Sequence, residues 1–253
     1  MSIRGILFTF GPWLAIGTAA ADEIQIAVSS NFSQVAERLG SQFEMTSAHR
    51  VTPIPGSTGK HYAQIKNGAP FDIFLAADAL HPRMLEDDGL AVRGSRFTYA
   101  RGELVLWSPT AGLIDPQGKV LENGEYRHLA MANPDLAPYG VAAREVLESL
   151  GLWMELQDRA VRGENVGQAF QFVASGNAEL GFVALSQITK SSNQMMAGSY
   201  WKVPPKLYSP IEQQAILLRD TRAAREFLGY LESDKARAII RQHGYQTPVE
   251  TTH

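Results

Sequence analysis

Residues 23–43 read EIQIAVSSNFSQVAERLGSQF, and this stretch decides the fold class. EIQIAVS (23–29) is a short β-type run. Phe32, Val35, Ala36, Leu39 and Phe43 then recur at the spacing of one apolar helix face. The same change of period follows twice more. VTPIPG (51–56) is extended, and Tyr62 and Ile65 mark a short helix that stops near Gly68. FDIFLAAD (71–78) is strand-like, and ALHPRMLEDDG is helical with Gly89 as its stop. The order βαβαβα predicts an α/β protein with a mainly parallel sheet.

The rest of the chain keeps this pattern. RFTYARGELVLWSP (96–109) is too long for an ordinary strand and reads as an extended crossing with a bend near Gly102. HLAMANP (128–134) is a strand entering a loop. Ala142, Val146, Leu147 and Leu150 mark a helix stopped by Gly151. Val166, Ala169, Phe170 and Val173 mark another, ending near Gly176. LGFVALS (180–186) and PIEQQAILL (210–218) are strands, and two helices follow around 227–231 and 236–240. A βα-rich first part, a crossing, a second βα-rich part and a return fit two α/β lobes joined by two crossings. In such sheets ligands bind beyond the carboxyl ends of strands, at helix N-termini.

The start of the chain reads differently. Arg4 precedes a short apolar run, GILFTFGPWLAIG (5–17), broken by Pro12, and then TAAAD with small residues at Ala19 and Ala21. That is the order of a secretory signal peptide, expected to be cleaved near Ala21. The run is too short to span a bilayer. About 230 residues then remain, enough for one large or two small domains. A 45% apolar composition suits a compact core, and a net charge of −3 without a basic patch argues against nucleic acid. The absence of cysteine excludes disulfides, thiol nucleophiles and thiolate metal sites. The six histidines show no metal-ligand spacing. Asp87-Asp88 suits a solvated turn, and Asp72 and Asp78 suit hydrogen bonding at a strand edge. There is no G-x-S-x-G elbow.

Four strand-to-helix loops carry the functional reading. In VSSNFSQ (28–34), Asn31 followed by Gln34 matches a relaxed capping box. In PGSTGKHYAQ (55–64), three readings compete. A phosphate-binding Walker loop fails, because His61 follows Gly59-Lys60 and Ile54 stands where its first glycine belongs. Ser57 to Lys60 is an S-x-x-K, and Ser191-Ser192-Asn193 is an S-x-N, yet no K-T-G accompanies them. The third reading is a hydroxyl-rich helix start with its amides aimed at an anion. NPDLAPYGVAA (133–143) places Pro138 and Gly140 around Tyr139 at a helix start, and GENVGQAFQ (163–171) opens a helix at Val166-Gly167. Each loop alone can be a plain cap or turn. Two come from each half of the chain, so together they line a cleft with hydroxyls and backbone amides, with Lys60 pointing outward.

NGAPFDIFLAAD (67–78), GSRFTYARGELVLWSP (94–109), ANPDLAPYGVAAREVLESLGLW (132–153) and ENVGQAFQFVASGNAELGFVALSQI (164–188) resemble the molybdate-binding proteins of bacterial ABC transporters. The resemblance covers essentially the whole mature chain. It implies a type II periplasmic-binding-protein fold, with two lobes of mixed, mainly parallel sheet flanked by helices and a ligand cleft between them. One lobe would hold residues 22–100 and 206–253 and the other 101–205, with hinges near Tyr99–Gly102 and Pro204–Pro210. The resemblance places the ligand donors on Ser30 and Asn31, on Thr58 with Ser57 adjacent, and on the Tyr139 and Val166 backbone amides. Some members add a tyrosine hydroxyl near residue 184. Ala184 stands here, so that donor is expected from Asn31. The implied activity is non-catalytic: monomeric periplasmic capture of molybdate or tungstate, without a cofactor or a bound metal cation, for a membrane permease. A receptor for sulfate or another oxyanion, and a Ser57–Lys60 acyl enzyme, are the alternatives.

Overall fold

A computed structural model describes residues 22–190 and 194–248. The expected signal peptide and the Ser191-Ser192-Asn193 motif lie outside the described residues. In chain order the elements begin with β1 (Glu23–Ser29), a 3-10 turn (Ser30–Phe32), α1 (Ser33–Glu44), β2 (Arg50–Gly56), α2 (Thr58–Lys66), β3 (Ile73–Leu75) and α3 (Leu80–Asp87). The crossing follows as β4 (Phe97–Gly102) and β5 (Leu104–Ser108), then α4 (Val120–Asn123), β6 (Leu129–Ala132), α5 (Pro138–Ser149) and α6 (Trp153–Leu156). The chain continues with β7 (Ala160–Gly163), α7 (Val166–Ala174), β8 (Leu180–Ala184), α8 (Leu185–Ile188) and β9 (Ser199–Lys202). A 3-10 turn (Pro205–Leu207), β10 (Ile211–Leu217), α9 (Arg222–Leu231) and α10 (Asp234–Gln242) complete it.

These strands form two five-stranded sheets, ordered β2-β1-β3-β10-β4 and β7-β6-β8-β5-β9. Each has a parallel trio, β2-β1-β3 or β7-β6-β8, and an antiparallel fourth strand, β10 or β5. That fourth strand reaches its sheet from the other lobe: the chain leaves the first sheet after Gly102, enters the second at Leu104, and returns as β10. The fold is thus two-lobed and α/β, with both sheets mixed and mainly parallel.

Alternation along the strands explains why both faces of each sheet are covered. Ile24, Ile26 and Val28 pack with Phe32, Val35 and Leu39 of the first turn and α1, and with Phe227 and Ile240 of α9 and α10. Ala27, Phe74 and Ile216 face the other way, onto Ile65 and Leu85 of α2 and α3. In the second sheet Leu104, Leu106 and Met131 face Val146 and Leu147 of α5, while Val105, Trp107 and Val183 face Val173 of α7. Burying each Val, Leu, Ile, Phe or Met among them contributes about 1.5–3 kcal/mol.

Gly68, Gly89, Gly151 and Gly176 all have positive φ just beyond the helices they were expected to stop. Three readings change. The 96–109 stretch is two strands interrupted at Glu103. β8 ends at Ala184, so Leu185 and Ser186 begin a helical turn. β7 and β9 were not legible, because neither four-residue segment has a period of its own; each forms by pairing with an existing edge, β6 or β5.

Candidate functional site

The first loop does not carry the capping box its sequence suggests. The N-cap position of α1 is Phe32, and no side chain caps it. Asn31 turns inward instead and is 4% exposed. Its Nδ2 donates to Gln213 Oε1 at 3.0 Å and Tyr245 Oη at 2.9 Å. A buried amide takes partners wherever the fold supplies them, and here these outcompete the local cap.

The second loop begins with Ser57, the N-cap of α2, whose Oγ accepts from the Lys60 backbone N–H at 3.3 Å. Thr58 follows as the first helical residue, with no exposed surface. Its Oγ1 accepts from Ala77 N–H at 3.0 Å and donates to Ser29 Oγ at 3.3 Å. Lys60 points outward to Glu164 Oε1, 2.9 Å away on the other lobe. In the third loop Pro138 occupies the first turn of α5 and Tyr139 is buried, its hydroxyl accepting from Gln213 Nε2 at 3.3 Å. In the fourth, Asn165 caps α7 by accepting from Gln168 N–H at 3.0 Å. Val166 is buried, and its carbonyl accepts from Gln187 Nε2 at 3.2 Å.

Hydrogen bonds close these four loops into a ring. Thr58 joins the second loop to Ser29 of the first. Gly59 N–H donates to Leu136 O at 2.9 Å, joining the second to the third across the lobes. Asn133 N–H donates to Gly163 O at 2.7 Å, joining the third to the fourth. Gly167 N–H donates to Ser30 Oγ at 3.1 Å, closing the ring across the lobes again. Ser30, Thr58, Tyr139 and Val166 therefore each belong to a loop of one connected assembly.

The donors in this ring are neutral and pre-oriented. The amides of Thr58, Tyr139 and Val166 stand in first helical turns, where the helix has no carbonyl to offer. Among the described residues none of the three has another acceptor. The α2, α5 and α7 dipoles add positive potential at their N-termini. The ion pair between the second and fourth loops, Lys60–Glu164, cancels its own charge. Burial pushes the phenols of Tyr99, Tyr139 and Tyr245 upward, so they stay neutral. Among the described residues no group of three His, Cys, Asp or Glu side chains is arranged to hold a metal ion. Such an assembly can bind an anion that needs only donors.

Two cavities lie at the seam. One of about 120 Å³ is lined by Ser30, Asn31, Gly167 and Ser186 among others. A larger one of about 560 Å³ lies between Ala77–His81 on one side and Pro134–Pro138, Val141 and Ala142 on the other, lined by none of the six expected ligand residues and mostly apolar.

His61 lies beneath the second loop, buried and edge-on to Phe71. Burial lowers its pKa from the ordinary 6.5. The unfolded chain then binds more protons below pH 6.5 than the folded one, so stability is full above that value and falls as pH drops below it. The slope from this group is at most about 1.4 kcal/mol per pH unit. Denaturant midpoints at pH 7.5 and 5.5 should therefore differ more in the wild type than in His61→Gln; equal differences would exclude His61 as the cause.

Four contributors were not found from sequence: Ser29, Gln187, Gln213 and Tyr245. Gln213 had one visible signal, a pair of glutamines interrupting the apolar run of β10. Ala184, where a tyrosine was expected in some relatives, is buried, and its N–H donates to Gln187 Oε1 at 2.9 Å.

Residues 24–246 match the model of the bacterial extracellular solute-binding protein family. The chain is 47% identical over 247 residues to the molybdate-binding protein ModA of Azotobacter vinelandii, covering 96% of this chain and 98% of that one. It is 44% identical over 232 residues to ModA of Rhodobacter capsulatus, covering 90% of each. The solved structure of the A. vinelandii periplasmic molybdate-binding protein superposes with a TM-score of 0.86 at 44% identity, covering 89% of this chain and all of that one. With two such relatives matched nearly end to end and a shared two-lobed fold, this chain belongs to the bacterial extracellular solute-binding proteins, in the group of the molybdate-binding proteins.

Proposed function

We propose that this protein is a periplasmic receptor for molybdate and tungstate that delivers its ion to the permease of an ABC importer. The observation that carries the proposal is the ring of four loops, which brings hydroxyls and unpaired first-turn amides from both lobes together, with Lys60 paired to Glu164 and Asp135 of the third loop exposed. Ser30, Asn31, Ser57 and Thr58 approach the oxyanion from one lobe, and the Tyr139 and Val166 amides from the other. A hydrogen bond to a charged group contributes about 1.5–3 kcal/mol, so six or seven can outweigh the desolvation of a dianion. The names of the relatives supply the ligand: a fully ionised oxyanion matches a site built of hydroxyls and backbone amides. Molybdate and tungstate share charge and nearly share size, so both fit the same donors.

In this reading the lobes are residues 22–100 with 206–253, and 101–205. They close about hinges at Tyr99–Gly102 and Pro204–Pro210, and opening at the permease releases the ion. The receptor acts as a monomer after removal of its signal peptide near Ala21. The Ser57–Lys60 nucleophile is disfavoured by its own geometry: the lysine ammonium is held by Glu164, and the serine oxygen caps α2.

Calorimetry of the mature protein with molybdate, tungstate, sulfate and phosphate tests the reading. The expected result is tight one-to-one binding of the first two and weak or no binding of the others. The smaller sulfate cannot reach all the donors of a closed ring. Preference for sulfate would reassign the ligand, and no heat with any of the four would remove the assignment.

A further inference from the structure

Asn31 poses a chemical problem at the centre of this site. Its Oδ1 is buried and has no hydrogen-bond partner, while both hydrogens of its Nδ2 are engaged by Gln213 and Tyr245. In this orientation the amide has a free acceptor and no free donor. An oxyanion only accepts, so it would meet that oxygen as a repulsive contact. The array surrounding Asn31 contains a second arrangement. Gln213 is fully buried on β10, at an irregularity in its pairing with β4. Its Oε1 accepts from Asn31 Nδ2, with Tyr99 Oη also 3.1 Å away, and its Nε2 donates to Tyr139 Oη. A half-turn of each amide exchanges its oxygen and nitrogen at almost no cost in shape.

With both turned, Gln213 Nε2 donates to Asn31 Oδ1 and Tyr99 Oη, and Gln213 Oε1 accepts from Tyr139 Oη. Tyr99 Oη keeps Ala76 O, 3.2 Å away, as its acceptor. Tyr245 Oη, which donates to Asn31 O at 2.7 Å, can donate to Asn31 Oδ1 instead. Asn31 O retains the Ser186 hydroxyl at 3.3 Å. Every hydrogen-bonded pair of side chains survives, and the unpartnered Asn31 atom becomes an N–H donor.

We infer that Gln213 is a positioning residue that sets the polarity of Asn31: in the oxyanion-bound receptor both amides stand turned over, and Asn31 donates to the ligand. This inference rests on the oxyanion reading of the site. It also gives Gly102 a reason. A Cβ there would lie 2.7 Å from Gln213 Nε2 and would overlap Tyr139 Oη, so only glycine leaves room for the pair. Through Tyr139, whose amide serves the third loop, the same glutamine ties the ligand donors of one lobe to those of the other.

The test is nuclear Overhauser contacts of the Gln213 side-chain amide in wild-type protein saturated with sodium molybdate, saturation being verified by calorimetry on the same sample. The expected result is contact from Gln213 Hε2 to the Tyr99 ring. Contact to the Tyr139 ring instead, in protein shown to bind, overturns the inference. Absence of binding would count against the receptor reading itself. As a second measurement, Gln213→Met should weaken molybdate roughly tenfold to a hundredfold, the scale of one lost charge-assisted hydrogen bond. Unchanged affinity in that variant would equally overturn the role of Gln213.

Discussion

Gly59→Val is expected to weaken molybdate binding roughly tenfold to a hundredfold while moving the melting temperature of the unliganded protein by no more than about 2 °C. A Cβ at Gly59 would lie 3.0 Å from Leu136 O and 3.3 Å from Leu136 Cα, both backbone atoms of the opposite lobe. No flexible side chain is there to yield. In the proposed mechanism the lobes part on opening and the crowding is relieved, so the substitution would penalise the closed form and spare the open one. Overpacking of this kind costs about 1–3 kcal/mol, and each 1.4 kcal/mol is tenfold in affinity. Helix propensity favours valine over glycine by only a few tenths of a kcal/mol, roughly, so the first turn of α2 itself changes the stability of the open form little. Calorimetry and thermal unfolding of the same preparation check the prediction. Unchanged affinity would mean that the Gly59–Leu136 contact is not part of the bound state; a fall in both quantities would mean that the residue matters for folding instead.

Thr58→Val is expected to act on both quantities, and Thr58→Ser on neither to a comparable degree. Valine preserves the shape of threonine and removes its hydroxyl. Loss of one hydrogen bond to a charged ligand costs about 1.5–3 kcal/mol, or roughly tenfold to 150-fold in affinity. The same substitution leaves Ala77 N–H, which now donates to Thr58 Oγ1, without an acceptor in a buried position. An unsatisfied buried amide costs about 1–3 kcal/mol, so the unliganded protein should also melt earlier. Serine keeps the hydroxyl and should hold affinity to within a few-fold, losing only the methyl contacts. The comparison therefore separates the hydroxyl from the packing. Equal affinity of the valine and serine variants would remove Thr58 from the set of ligand donors.

The sequence by itself determined what depends on neighbours a few residues away. The period change within residues 23–43, and its repetition, specified strands followed by helices and so an α/β chain. Glycines that accept positive φ marked the helix ends at Gly68, Gly89, Gly151 and Gly176. Ser57 at the N-cap and Pro138 in a first turn were local signals of helix starts, and both stand there. The motifs also carried the family, and through it the six expected ligand residues. Tertiary structure decided the partners. Asn31 looked like a cap for Gln34; its amide lies instead on groups 182 and 214 residues further along the chain. Lys60 was expected to point outward, but only the closed lobes gave it Glu164. β7 and β9 lie in no apolar run of the kind that marked β3 and β6, and they form against an edge that was there to pair with. The physical reason is common to all of these. Helix periodicity and turn geometry are set by local sterics, and a short stretch of sequence contains them. Which acceptor a buried donor finds, and whether two lobes meet, depends on chain segments that only the completed fold brings within hydrogen-bond reach.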